Sequence, residues 1–468
     1  MDTILAGALS ETKGPKYRAV ADRIRAGIGS GQLAVGERLL PVRELAYQLG
    51  ITPGTVARAY TLLTEEGVLQ AEVGRGTFVA GPEPEEVSTL VADVAPHGSE
   101  GGDGHHVNLF APHLPQVGQA ALIRKLLAEV AQDPPSGLMH YPSQTAERPV
   151  RAAAAEWLQG MPIGPVREDD VVLANGGQNA VVLILSAVLR GRRPTVLVEE
   201  LAYPGFRRAA ELLRADVVPV AMDEHGLIPE ALEAAARGHD AQIVCTSPEA
   251  HNPTLLATLE PRRRALVAAA RRADLQILED NCYVSGAHVA ASYRVLAPER
   301  TWYVSSISKS VSPSLRLGFG LAPEGQVGRL RRVAEQSFFG LATPISDLGA
   351  KLLVHPDLPG LEQKMLQRIG EYVQVAVNTL GVYNLAWRAD LPFMWLTLPQ
   401  GWRAGAFCQA AEARGVRVRS SEDFTLRSAR VPHAVRMAVN AGVSLATFDS
   451  AMTRLRDLLD NPPEQISV

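Results

Sequence analysis

The 468-residue sequence predicts a two-part α/β protein: a small helix-turn-helix head with a winged hairpin, a linker, and a large body built on an open sheet. Three observations carry this reading. Residues 17–66 place apolar side chains at helical spacing and are followed by two short strand-like runs. Residues 81–106, "GPEPEEVSTLVADVAPHGSEGGDGHH", are rich in Gly, Pro and acids and contain no Lys or Arg. Beyond them, short β-rich stretches alternate with longer Ala/Leu/Arg helical ones.

In the head, residues 1–80, "PVRELAYQLG" is a short helix opened by proline and closed by glycine. "ITPGTVARAYTLLTEEG" begins with a Thr cap before Pro and continues the apolar stripe. Two helices on a tight connection make a helix-turn-helix, and "VLQAEV" and "TFVA", joined by Gly74, Arg75 and Gly76, make the wing. Such a unit reads DNA with the first turn of its second helix in the major groove. Arg43, Thr52, Gly54, Thr55 and Arg58 fall where groove and phosphate contacts lie, and Arg75 is at the wing tip. A plainer reading stays open, in which Arg43 and Arg58 only pair with Glu44, Glu65 or Glu66 on the surface.

Residues 81–106 read as a flexible linker extended by self-repulsion, leaving a body of residues 107–468. An apolar share of 46% with 21% charged is ordinary soluble composition, no run reaches membrane-span length, and the N-terminus resembles no export signal. Cys245, Cys282 and Cys408 have no metal spacing, and an odd number of thiols argues against a disulfide framework. The expected location is the cytoplasm. A net charge of -4 confines any DNA binding to a local surface.

In the body, "TVLVEE", "AQIVCTS", "LQILED" and "TWYVSS" are strands of an open sheet, beyond whose carboxyl ends ligands bind. The polar outliers lie there. Gly176, Gly177 and Gln178 open an apolar helix, where free N–H groups suit a phosphate. Tyr203, Asn252, Asp280 with Tyr283, and Lys309 each follow a strand. Singly, each is explained as a turn, a cap or a surface residue. Jointly they describe one ligand, pyridoxal 5'-phosphate, which needs an amine for its aldehyde, a carboxylate at its pyridine nitrogen, donors at its phenolic oxygen, an aromatic face and a phosphate cup. Lys309, Asp280, Asn252 with Tyr283, Tyr203, and Gly177 with Gln178 fill those roles in turn. Ser306, Ser308 and Arg316 complete the cup around the phosphate.

These motifs carry two resemblances. "LLPVREL", with Val42 in the usual serine position, is similar to the GntR family of winged-helix regulators. From about residue 107 onward the chain resembles fold-type I aminotransferases: "YPSQTAERPVRAAAAEWL", "HNPT", "SKSVSPSLRLGF" and "HAVRMAVN" match in order. That resemblance implies that Tyr141 reaches the cofactor phosphate of a partner subunit in a head-to-tail homodimer, and that Arg436 binds the acidic group of an effector. Leu255, Leu201 and Ala146 replace family glycine, proline and glycine, and Leu255 places bulk near the cofactor edge.

A winged helix linked to an aminotransferase-like body is the architecture of MocR-type regulators. The resemblance implies a transcriptional regulator that senses an amino compound by aldimine exchange at Lys309 and passes the change to operator DNA. The alternative is an aminotransferase with an accessory winged helix. A regulator that has lost its cofactor would be expected to lack Lys309 or Asp280, and both are present.

Overall fold

The computed structural model describes residues 16–30, 32–34, 36–66, 68–72, 76–80, 106–283, 289–426, 429 and 431–462. The chain separates into two compact units. Gly74 and Arg75, and the linker up to residue 105, lie outside the described residues.

The N-terminal unit packs α1 (Lys16–Gly29), α2 (Val42–Gln48) and α3 (Pro53–Glu65) against the antiparallel hairpin of β1 (Leu69–Glu72) and β2 (Gly76–Val79). Val20, Ile24, Leu45, Val56, Leu63 and Val79 form its core, the stripes that the sequence pattern marks. Gly50 follows α2 with φ 61°, a left-handed turn that glycine takes without steric cost. Thr52 is the extended N-cap of α3, but its hydroxyl meets the Thr55 hydroxyl at 2.9 Å instead of capping a backbone N–H. The expected Thr cap is therefore one of backbone position only.

The large unit opens with β3 (Val107–Asn108), α4 (Gln119–Gln132) and α5 (Arg148–Leu158). Next come β4 (Val171–Asn175), α6 (Gly177–Val188), β5 (Thr195–Glu199), α7 (Pro204–Leu212) and β6 (Asp216–Val220). A short pair, β7 (Met222–Asp223) and β8 (Gly226–Leu227), leads to α8 (Pro229–Gly238), β9 (Ala241–Thr246), α9 (Glu260–Arg272) and β10 (Gln276–Asp280). The run β11 (Thr301–Ser306) and β12 (Leu317–Leu321) completes a seven-stranded sheet in the order β4-β12-β11-β10-β9-β5-β6. Only β12 runs against its neighbours. Apart from the edge strand β6, which is only partly buried, the parallel strands are buried on both faces, as continuous apolar runs such as "VLV" and "IVC" require.

After α10 (Val327–Phe338), α11 (Thr343–Leu353) and the long α12 (Leu358–Leu380), the chain builds a second sheet. It comprises β13 (Leu385–Ala386), β14 (Phe393–Thr397), β16 (Arg419–Ser420) and β17 (Ala434–Ala438) in the antiparallel order β13-β14-β17-β16. Helices α13 (Ala404–Ala413) and α14 (Leu445–Asp460) cover it, while β15 (Val416–Arg417) pairs with β3. No described helix is long and apolar enough to cross a membrane.

This topology positions the site. Strands β4, β5, β9, β10 and β11 run the same way, so their carboxyl ends share one edge, and reversed β12 starts at that edge.

A buried ionic layer lies just behind that edge. Arg263, fully buried on α9, pairs with Glu249 at 2.6 Å and donates to the carbonyls of Thr258 and Pro248, bracing the loop that carries Asn252. Glu279 is also fully buried and accepts from the Ser292 hydroxyl. Burial, opposed by Ser292 and Arg263, pushes its carboxyl up to about 7. The folded state thus keeps a proton that the unfolded chain loses near pH 4.5. The resulting stability is complete below that pH and is lost as the pH rises to about 7, by about 3 kcal/mol at most. Glu279→Gln is accordingly expected to gain on the wild type in melting experiments between pH 5 and 7, with the difference levelling off above. A pH-independent difference would contradict this account.

Candidate active site and relatives

The first strand end supplies a glycine turn. Gly176 takes φ 81° as the residue before α6, and Gly177 begins the helix. A Cβ on Gly176 would lie 2.5 Å from the Arg316 guanidinium, and one on Gly177 would lie 2.4 Å from the Cys282 sulfur. Arg316, itself at φ 50°, donates to the Asn175 carbonyl at 3.1 Å. The arginine and the glycine turn are thus in contact, although 141 residues separate the bonded pair.

The remaining groups close around this turn. The Gln178 amide donates to the Gly205 carbonyl at 2.9 Å, which ties the start of α6 to the Tyr203 loop. Asp280 ends β10 and accepts from the Cys282 N–H at 3.0 Å. Burial raises the Asp280 carboxyl, while the Cys282 hydrogen bonds and the Lys309 charge work against that rise. Tyr203 is half-buried with Asp280, Cys282 and Tyr283 among its electrostatic neighbours, and desolvation raises its phenol. The Lys309 amine lies 5.5 Å from the centre of the Tyr283 ring, and Tyr283 packs edge-on against Phe393 at 5.0 Å. A cavity of about 490 Å³ adjoins Lys309 and Tyr283 and is also lined by Trp157, Met161 and Leu391.

Asn252 turns its Oδ1 to Arg436, whose Nη1 donates at 3.1 Å, so the asparagine loop and β17 meet across the two sheets. His251 secures that loop, with its ring nitrogens 2.6 Å from the Thr254 hydroxyl and 2.8 Å from the Leu201 carbonyl. Leu255 adopts φ 63°, the left-handed conformation that suits the family glycine, and packs with Phe393, Trp395 and Phe424. Leu255→Gly relieves about 1–2 kcal/mol of backbone strain but removes a buried side chain worth about 2–5 kcal/mol. Net destabilisation by roughly 1–3 kcal/mol is expected in denaturant melts, and a stabilised variant would show that strain dominates.

The structure therefore brings Gly176, Gly177, Gln178, Tyr203, Asp280, Tyr283, Lys309 and Arg316 to one sheet edge, with Ser306 at the end of β11. Ser308, two residues on, is buried with a hydroxyl that has no hydrogen-bond partner among the described residues. Tyr141 stands apart: it is 86% exposed, and its ring is 6.2 Å from that of Phe339. Sequence reasoning did not single out Cys282, Gly205 or the role of Gly318. Cys282 is a small residue two positions after the strand-end aspartate, and Gly205 and Gly318 are glycines two positions after Tyr203 and Arg316, which is the only local signal they give.

In the N-terminal unit Arg43, Thr52, Gly54 and Arg58 are exposed and Thr55 is half-buried. The Arg58 guanidinium sits 4.4 Å from the centre of the Tyr17 ring. Glu66 pairs with Arg25 at 2.6 Å, and among the described residues no ion pair joins it to Arg58. Arg75 lies outside the described residues. Arg38 comes beside the wing, within 2.8 Å of where a Cβ on Gly76 would stand, a neighbour the sequence pattern did not mark.

The residues fit pyridoxal phosphate. The first turn of α6, which the glycine turn opens, carries backbone N–H groups that a helix start leaves without intrahelical partners, and the Arg316 fork and the Ser308 hydroxyl, unpartnered among the described residues, add donors suited to a phosphate. The description for aminotransferases of class I and II matches residues 114–455, and that for bacterial regulatory proteins of the gntR family matches residues 16–79. The chain is a MocR-type member of the GntR regulators.

One relative aligns over nearly the whole of this chain. The uncharacterised HTH-type transcriptional regulator YdeF of Bacillus subtilis is 25% identical over 97% of this chain and 96% of its own. The probable rhizopine catabolism regulatory protein MocR of Rhizobium meliloti is 27% identical over 69% of this chain and 68% of its own. Among solved structures, the multiple substrate aminotransferase of Thermococcus profundus aligns with TM-score 0.68 at 20% identity, covering 81% of this chain and 95% of its own. That likeness shows the fold. The MocR-type chain is thus a transcriptional regulator whose sensing domain has the pyridoxal-phosphate-dependent, fold-type I aminotransferase architecture.

Proposed function

We propose that this regulator binds pyridoxal 5'-phosphate at the edge formed by Gly176, Gly177, Asp280, Lys309 and Arg316, and senses an amine that carries an acidic group. The convergence of Lys309, Asp280 and the Gly176–Arg316 contact at one sheet edge, in a chain that also holds a winged helix, carries this reading. The cofactor, when bound, supplies an aldehyde that exchanges between a lysine amine and an incoming amine. Lys309 provides that lysine, and Tyr283 lies beside it. Asp280 offers a half-buried carboxyl to the pyridine nitrogen, Tyr203 covers the ring, and Asn252 with Tyr283 donates to the phenolic oxygen. Gln178, Ser306, Ser308 and Arg316 hold the phosphate with the glycine turn. Arg436, buried on β17 and bonded to Asn252, takes the effector's acidic group.

Two copies fit this function better than one. Tyr141, Met139 and Phe339 are exposed at 86%, 90% and 73%, an apolar surface that a second copy would cover while Tyr141 reaches its site. Two heads then read two half-sites of an operator. The domain limits follow the composition: head 1–80, linker 81–106, body 107–468. Arg43, Thr52, Gly54, Thr55, Arg58 and Arg75 face the DNA. Arg43→Ala is expected to weaken operator binding and to reduce the slope of log affinity against log salt by about one. An unchanged slope would remove Arg43 from the phosphate contacts.

The test is the visible spectrum of the purified protein, followed while amino acids, ω-amino acids and amino sulfonates are added singly. A shift that appears with one compound and persists supports a sensor. Steady bleaching with release of a keto acid supports the alternative, a working aminotransferase that carries an accessory head.

A further inference from the structure

We infer that residues 107–111 form a strap displaced by the effector, with Phe110 as its positioning residue: the Phe110 carbonyl occupies the Arg436 donor that an effector's acidic group takes. This deepens the proposed function and rests on the role assigned there to Arg436.

The contact is direct. Arg436 Nη2 donates to the Phe110 carbonyl at 2.6 Å while Nη1 donates to Asn252. A charge-assisted bond of this length inside a buried site is among the stronger hydrogen bonds a protein makes. An acid that takes the Nη2 N–H now held by the carbonyl displaces it, and displacing it moves the chain.

The ring holds the carbonyl in place. Arg417 and Arg419 place their guanidinium carbons 4.8 Å and 4.6 Å from the centre of the Phe110 ring. Both cations belong to the second sheet and its neighbour: Arg417 lies in β15 opposite Asn108, and Arg419 lies in β16 directly opposite Arg436. The flanking backbone is also tied down, with Leu109 N–H on the Arg417 carbonyl at 2.8 Å and the Ala438 N–H on the Leu109 carbonyl at 2.7 Å. Phe110 thus bridges β15, β16 and β17 at the point where the effector arginine emerges.

The position in the chain gives the contact its consequence. Phe110 comes four residues after the acidic stretch 81–106 that follows the winged helix. The strap includes β3, the first described strand of the body after that stretch. Effector acid and Phe110 carbonyl compete for one donor, so each weakens the other by the same factor. Effector binding then releases the strap, and any restraint that holds the strap lowers effector affinity.

The experiment uses the full-length protein loaded with cofactor and glutarate as the probe, an acid with no amine and hence unable to react at Lys309. By calorimetry, Phe110→Ala is expected to bind glutarate about tenfold more tightly than the wild type, the competing bond being weakened. Phe110→Tyr, which restores the ring, returns to the wild-type affinity, and Arg436→Ala abolishes binding. In the wild type, saturating glutarate is expected to speed amide hydrogen exchange at residues 107–111. Unchanged or weaker binding by Phe110→Ala, with Arg436 still required, would overturn the strap and leave the effector arginine standing. Wild-type affinity in Arg436→Ala, or no saturable binding by any of these proteins, would overturn both. Exchange at 107–111 unaffected by saturation in the wild type would also overturn the strap, whether or not Phe110→Ala folds.

Discussion

Lys309→Ala is expected to yield a folded, DNA-binding protein that has no effector response. The side chain follows β11 and is partly exposed, so its truncation opens no core cavity and should change stability by less than about 1 kcal/mol. Its amine is the group beside Tyr283 in a site otherwise furnished with hydroxyls, an amide, a carboxyl and a guanidinium. Without it the cofactor can still be held by its phosphate and ring contacts, but not covalently. The visible band of lysine-bound cofactor should disappear, and the operator affinity should no longer change with any amine that shifts it in the wild type. Spectroscopy and operator titration of the same preparation check both points. A visible spectrum identical to that of the wild type would remove Lys309 from the site.

Gly318→Ala is expected to have the next largest effect, through the backbone. A Cβ at Gly318 would stand 2.5 Å from the Gly176 carbonyl carbon and 2.8 Å from its Cα, atoms that have no rotamer by which to move away. Gly318 is held in register between Ala174 of β4 and Ser306 of β11, so the strand cannot shift without breaking two ladders. The strain falls on the Gly176–Gly177 turn, and overpacking of this kind costs about 1–3 kcal/mol or more. Pyridoxal phosphate titration should show affinity reduced by about five- to 150-fold, since 1.4 kcal/mol is a factor of ten. Gly320→Ala on the same strand is the control: there the nearest atom is a Leu330 side-chain methyl at 3.3 Å, which can yield. Equal effects at the two positions would show that any methyl on β12 is harmful and that the glycine turn is not the point of contact.

The contrast between Gly318 and Gly320 also shows where sequence reading stops. Both glycines sit in the same strand, "LGFGL", and nothing local tells them apart. One meets the Gly176 turn and the other a flexible side chain, because β12 lies beside β4. Strand β12 itself gives little signal, since two of its five residues are glycines and its partners are remote in sequence. Leu255 repeats the lesson from the other side. Its bulk, which sequence comparison places near the cofactor edge, is absorbed by Phe393, Trp395 and Phe424 of the second domain sheet and the loop beside it.

What the sequence by itself determined is the list of reactive groups and their order. Parallel strands end in loops on a common edge, so Gly177, Tyr203, Asn252, Asp280 and Lys309 were legible as a set from their strand-end positions. The winged helix was legible for the same reason, since helical spacing, a proline, a glycine and a hairpin are all local. What only the tertiary structure decided is which of these groups are already engaged, and by what. The bond from Arg436 to the Phe110 carbonyl spans 326 positions, and the backbone atom that accepts it has no residue identity for a sequence to record. Side-chain chemistry is written locally, whereas the competition for a donor depends on chain segments that meet only after the sheets have packed.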